Sequence, residues 1–490
     1  MSKTLILKRI LLIIPVLALA GCEDFLSKEP DSTRATINTP KQVSQLLTTA
    51  YPQGAYVVFS EAMSDNVGDK GSGQDDKTNR FSFQFEEVEA TVDEQDSPDQ
   101  YWAECYRAIS VANQALEIIN KSSDPIQYNA QKGEALLARA YAHFMLVNYF
   151  SKFFDPQQPN SDPGIPYVTE PETIVIKKYE RKTVAYVYEM IEKDLLEGLP
   201  LISDGSYTIP KYHFNRAAAN AFASRFYLVK KDYTKVLQYC NDAFPGGSIG
   251  DNLRPWNTTY SSLSPAELYN TYSRATQNAN LLLIETSSTY GRYVAVYRYG
   301  LNFRKWQEIS DSENIIAGGA SWVYPLYTQG DNNYLIPKLN EYFVRESVNA
   351  DIGQPYVMLP VLTAEEVLFN KIEANAYLNN TTAALADLNV FVSKRVSNYK
   401  GTSQSVTASS MRTYFGTSNL RNNIISTVLA FKRVEFVQEG MRWFDIQRYA
   451  IPVEHETFTG SVISVPANDP RRILQIPQSA TLSGIEQNSR

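Results

Sequence analysis

Apolar positions recur at three- and four-residue steps along most of the chain. Trp102, Cys105, Ile109, Ala112, Leu116 and Ile119 form one such stripe and predict an amphipathic helix over 101–120. After Asp124-Pro125 a second helix is expected over about 129–150, with Leu137, Ala140, Tyr141, Phe144 and Val147 on one face. Small alanines opposite aromatics suit two antiparallel helices packed as a hairpin. The unit recurs at 183–199, carrying Val184, Val187, Ile191 and Leu195, with 215–229 as its mate. A shorter helix is expected after Thr39-Pro40, where proline takes the first helical position and Val43, Leu46 and Leu47 follow.

The stretch from Arg216 to Cys240 is an alanine-rich helix, a Lys231-Asp232 turn and a new helix opened by Tyr233. It resembles the joint between tetratricopeptide repeats, where small residues admit a neighbour and an aromatic fills the gap after the turn. A further pair is predicted over 363–396. Thr363 with Glu366 would cap it, Asn379-Asn380 would turn it, and Ala384, Leu385, Leu388 and Phe391 would face inward. Between these blocks the helical period lapses. Residues 246–362 read as an insertion of turns and short strand-like pieces at 281–285 and 293–297. The fold class expected is mainly α: an irregular tetratricopeptide-like helix-pair superhelix with a loop-rich, partly β insertion. Its parts are a leader over 1–21, a tether over 22–40, helical segments over 41–245, the insertion, and a helix pair with closing segment over 363–490.

The leader changes the functional picture. Lys3, Lys8 and Arg9 precede eleven apolar residues, Ile10 to Ala20, and Gly21-Cys22 closes the run. That is too short for a helix to span a bilayer, which takes about 20 residues. It matches an export signal with a lipobox, in which the Cys22 thiol receives a diacylglycerol and becomes the first residue. Several acyl chains then make a durable anchor. The chain carries a formal charge of −7 although three of its cations lie in this leader. So acidic a body argues against nucleic acid, whose phosphates select basic faces. Cys105 and Cys240 remain, as buried thiols or as a disulfide. No Cys/His cluster has zinc spacing, no cofactor is expected, and His143 and His213 are expected to be structural.

Aromatic residues make up 12% of the chain, and Trp256, Trp306 and Trp322 all fall in the insertion. Rings in loops can stack on the C–H face of a sugar while neighbouring polar groups bond its hydroxyls; the alternative is a small core of the insertion's own. The Asp65–Asp76 loop fails the calcium-loop pattern because Val67 and Lys70 stand where an oxygen ligand and glycine are required. It reads as a solvated loop or a polar ligand-contact loop. Gly246-Gly247-Ser248-Ile249-Gly250 fits a nucleophile-elbow pattern, but a helix precedes it where that turn needs a strand. In the last block Arg433, Glu435, Glu439, Arg442, Asp445 and Arg448 alternate in sign. They read as ion pairs locking a helix break at Gly440, with acid–base chemistry at Glu435 and Glu439 as the rival.

Taken together, several motifs resemble the SusD/RagB family of outer-membrane nutrient-binding lipoproteins. They are Cys22-Glu23-Asp24-Phe25-Leu26 with Pro30; Trp102, Tyr106, Ile109 and Asn113; Gly133-Glu134-Ala135 with Arg139-Ala140; and Gly164-Ile165-Pro166. Lys432-Arg433 to Glu439-Gly440, Arg442-Trp443-Phe444-Asp445 and Ile476-Pro477-Gln478 complete the set in the family's order. The resemblance implies four tetratricopeptide-like pairs as scaffold, a variable region carrying the ligand surface, and docking on a SusC-type TonB-dependent transporter. It also implies that Glu23 and Asp24 direct the lipoprotein to the cell exterior.

The expectation is a non-enzymatic surface lipoprotein that captures an oligosaccharide and delivers it to that transporter. Peptide capture of the RagB type, a surface glycoside hydrolase and a pure interaction scaffold are the alternatives. Position and residue type nominate Asp65, Asn66, Tyr290, Arg292, Trp306, Trp322 and Tyr324 as ligand contacts.

Overall fold

Ser97 starts the longest helix of the scaffold. Its side chain accepts the Gln100 N–H, and Pro98 occupies the first turn of α1 (Pro98–Lys121). The computed structural model describes residues 37–172, 174, 177–246 and 248–490. The leader, Cys22, Glu23 and Asp24 lie outside the described residues, as does Gly247 of the 246–250 motif.

A 3₁₀ turn, Pro125–Tyr128, leads into α2 (Asn129–Phe150), and from Gly133 to Phe150 every residue of α2 is buried. The single apolar face expected there is therefore a helix buried all round. It is enclosed by α1 on one side and by α3 (Val184–Gly198) on the other. Glycines set the closeness of that crossing. A Cβ on Gly133 would stand 2.9 Å from the Gly198 carbonyl oxygen, and one on Gly198 the same 2.9 Å from that of Gly133. Charge between α2 and α3 is paired: Arg139 of α2 grips Asp194 of α3 through Nε and Nη2 at 2.7 and 2.8 Å.

The next pair turns at Lys231, whose φ is +58°. Asp232 caps α5 (Tyr233–Ala243), which follows α4 (Arg216–Val229). Tyr233 fills the expected gap by stacking on Tyr377, ring centroids 4.1 Å apart and 6° from parallel. Tyr377 ends α6 (Ala364–Tyr377), and Asn379, at φ +62°, turns the chain into α7 (Thr381–Arg395). Thr363 caps α6 by accepting the Glu366 N–H, but the Glu366 carboxylate binds Arg225 and does not return to the cap. α8 (Leu420–Glu435) and the short α9 (Arg442–Arg448) close the scaffold around the break at Gly440, whose φ is +73°. Cys105 and Cys240 are buried free thiols.

The insertion builds one three-stranded antiparallel sheet in the order β1–β3–β2, from β1 (Asn280–Ser287), β2 (Glu341–Arg345) and β3 (Gly353–Thr363). Its middle strand runs straight into α6 through Thr363. The strand expected over 293–297 does not form: Tyr290–Tyr293 is a helical turn, and Val294 donates to the Tyr290 carbonyl at 2.8 Å. The buried residues there, Tyr290, Val294 and Tyr297, recur at helical spacing, and this overrides the alternation that suggested a strand.

Charged residues weld the insertion to the helices. Arg254 of the insertion bonds Glu365 of α6 at 2.7 Å, and Arg395 of α7 reaches both Glu365 and Glu435, all four side chains having no exposure. The charges of the last block do form ion pairs, though chiefly with distant elements. Arg442 pairs with Asp65, Glu439 with Lys338, and Arg448 with Glu373. Asp445 alone pairs close by, with Lys432 and Arg448.

Candidate functional site

Five of the seven nominated residues are used by the interior. Asp65 receives Arg442 through Nε and Nη2 at 2.8 and 2.9 Å, while Arg433 bonds its carbonyl. Burial there opposes ionisation, but Arg442 and Arg433 outweigh it and hold the carboxyl well below the usual carboxylate range. Asn66 is buried between Arg433 and Glu61, and the Tyr290 hydroxyl donates to the Gln438 carbonyl at 3.0 Å. Trp322 donates to the Ser312 hydroxyl at 3.1 Å and meets Phe431 edge-on at 5.0 Å. Tyr324 is buried, with its hydroxyl on Glu435. These side chains hold loops to the helical core, which runs against their nomination as ligand contacts. Arg292 is exposed and Trp306 partly so, and Arg292 is paired with Glu341 on the edge strand β2.

Trp306 belongs to a short helix, Phe303–Ser310, whose cap Asn302 accepts the Lys305 N–H. The sequence there, FRKWQEIS, places Phe303 and Trp306 three apart and so on one face. Phe303 is half exposed, and Trp306 is partly buried against the core beneath. Tyr334 extends the surface from another loop, its ring 5.9 Å from that of Phe303. Asn332, at φ +57°, accepts the Phe303 N–H through its side chain. Exposed Asp331, Asn332 and Arg304 thus bring donors and acceptors to the edge of three aromatic rings.

Loops distant in sequence hold this surface together. Lys70 is buried and donates to the Ala295 carbonyl and the Asn333 side chain, both at 2.8 Å, joining the 65–76 loop to the aromatic loops. Burial pushes its ammonium down to about 8. Asp69 accepts Arg298 through Nε and Nη2 at 2.8 and 3.0 Å, and also the Phe458 N–H at 3.1 Å. Phe458 lies across Gly71, where a Cβ would come within 2.5 Å of the ring. The 65–76 loop is therefore a structural support with an exposed outer edge, not a free solvated loop. Phe303, Tyr334 and Phe458 are not among the contacts the sequence nominates. The available signal was an Asn cap followed by Phe and Trp at i and i+3.

The arrangement can present ring faces and amide or hydroxyl partners without a charged reactive pair. Glu435 and Glu439, the carboxylates considered for acid–base work, are both buried and held by Arg395 and Lys338. Among the described residues no group of three or more His, Cys, Asp or Glu side chains is placed to hold a metal ion. No described helix is long and apolar enough to cross a membrane.

Residues 24–228 match a family model, SusD-like_3, described as starch-binding associating with outer membrane, and residues 292–472 match the SusD family model, SusD_RagB. No curated protein matches the chain. Among solved structures, a SusD superfamily protein from Bacteroides thetaiotaomicron aligns with TM-score 0.65 at 19% identity, over 92% of this chain and 100% of that one. A putative sugar binding protein from Bacteroides vulgatus gives 0.67 at 20%, over 93% and 99%. A laminarin binding SusD-like protein gives 0.58 at 17%, over 92% and 99%. At these identities the likeness shows a shared fold.

Proposed function

The chain belongs to the SusD/RagB family, and from that membership we propose that it is a cell-surface lipoprotein that captures an oligosaccharide and passes it to a SusC-type TonB-dependent transporter. Acylation at Cys22 would tether it to the outer membrane, with Glu23 and Asp24 directing it outward. The observation that carries the ligand class is the ring set Phe303, Trp306 and Tyr334, accessible to solvent and bordered by Asn332, Asp331 and Arg304. Stacking on such rings excludes water from a sugar's C–H face, while polar side chains at the edge bond its hydroxyls. Capture of this kind needs no bond cleavage. Calorimetric titration of the mature protein with a panel of neutral polysaccharides and with a peptide digest tests the reading. Heat with at least one glycan, and intact glycan recovered afterwards, is expected; binding to peptides alone, or release of shortened products, would contradict it.

A further inference from the structure

A second cleft, of about 930 Å³, shares no lining residue with the insertion's ring set. Its walls are the helix Pro40–Leu47, the start of α2, the segment Ser206–His213 and the edge strand β1 with Met358 beside it. That volume lies near the top of the range of roughly 300–1,000 Å³ typical of small-molecule sites.

Two features separate this cleft from a packing fault. The first is buried polar capacity left unused at its floor. Gln131 is 4% exposed, and its amide donates to the Ser44 hydroxyl at 3.0 Å, yet its carbonyl oxygen has no partner. One turn on, Glu134 has no exposure. Its Oε1 takes the Tyr51 hydroxyl and His213 Nδ1, each at 2.7 Å, and so fixes two residues of the cleft wall from behind. Tyr207 stacks on the His213 ring at 4.1 Å, which fixes the imidazole at the cleft wall. A buried acceptor without a donor is a net cost to the fold, so a hydroxyl supplied from the cleft to the Gln131 carbonyl would relieve it.

The second feature is the chemistry of the lining. Gln45, Gln127, Ser44 and Thr48 offer neutral amides and hydroxyls, and the exposed Tyr212 ring and Ile209 offer apolar faces. Lys41 and Glu285, the charged members of the lining, cancel in sign and so favour neither an anion nor a cation.

We infer that this cleft is a second binding site for a neutral, polyhydroxylated chain, separate from the Phe303–Trp306 surface. The inference rests on the glycan-binding reading above and adds a second point of attachment to it. Two sites on one rigid body would raise the effective concentration of a long polysaccharide at each, with no new contact required.

Calorimetric titration of the mature protein with maltohexaose and with laminarihexaose, as the wild type and as the variants Tyr212→Ala, Gln131→Leu and Phe303→Ala, tests the inference. Tyr212 and Phe303 are exposed enough that their loss should leave the circular dichroism spectrum unchanged. Two binding events are expected for one of the probes. Tyr212→Ala and Gln131→Leu should each weaken one event by about tenfold, and Phe303→Ala the other, as expected for loss of one stacked ring or one buried acceptor. A single event that Phe303→Ala removes and Tyr212→Ala leaves intact would overturn this cleft and keep the first surface. A single event sensitive only to Tyr212→Ala would keep the cleft and overturn that surface. No heat with either probe would overturn the cleft.

Discussion

Arg395 and Glu435 face each other in full burial, with guanidinium Nε and Nη2 at 2.6 and 3.0 Å from the two carboxylate oxygens. Nη2 also reaches Glu365, and Nη1 donates to the Arg254 carbonyl at 2.9 Å. One guanidinium therefore joins α6, α7, the end of α8 and the insertion. Glu435→Leu should cost about 3–5 kcal/mol, because it strands part of a buried cationic network. Arg395→Met combined with Glu435→Leu should lose less than the two single losses added together. Urea midpoints of the three variants check this; additive losses would show that the pair is not coupled.

Acid should weaken the fold through a buried histidine. His143 is buried, with Nδ1 donating to the Arg139 carbonyl at 2.8 Å and Nε2 accepting the Val168 N–H at 3.0 Å. Burial pushes the imidazole from its usual 6.5 down to about 3, and the positive charge of Arg139 adds to the effect. Below pH 6.5 the unfolded chain gains a proton at this position that the folded protein refuses. The contribution is therefore fully present above pH 6.5 and falls away as pH drops towards 3, by several kcal/mol in all. Denaturation midpoints across pH 7 to 4 should decline, and the His143 ring should show no proton uptake by NMR in that range. An ordinary titration near 6.5 would contradict the assignment.

Gly133→Ala should be destabilising by about 1–3 kcal/mol although alanine is the better helix former, because its methyl would meet the Gly198 carbonyl and Leu201. Gly205→Ala, where a Cβ meets nothing within 4 Å, serves as the control. Thermal melts of the two variants distinguish close packing from general intolerance of substitution.

Much of the scaffold was legible because its signals are local. Thr183, Asn215 and Thr363 cap helices where the pattern places their starts, and Lys231-Asp232 turns where the small-residue helix ends. What could not be read locally is which side of a loop meets the core. Trp322 and Tyr324 resemble exposed loop aromatics, yet Phe431 and Glu435, about a hundred residues on, bury them. Asp65 has the appearance of a surface acid until Arg442 folds onto it. Trp306 differs because its helix packs one edge on the core and leaves the other face beside Phe303 to solvent.

Stacking on the insertion's rings is the central claim, and one titration addresses it most directly. The best-binding neutral polysaccharide is titrated into wild type, Phe303→Ala and Trp306→Ala, with melting temperatures recorded alongside. Loss of each ring should weaken the Phe303–Trp306 event by about tenfold, with the Phe303→Ala melting temperature unchanged. Affinity unaltered in both variants would contradict the account.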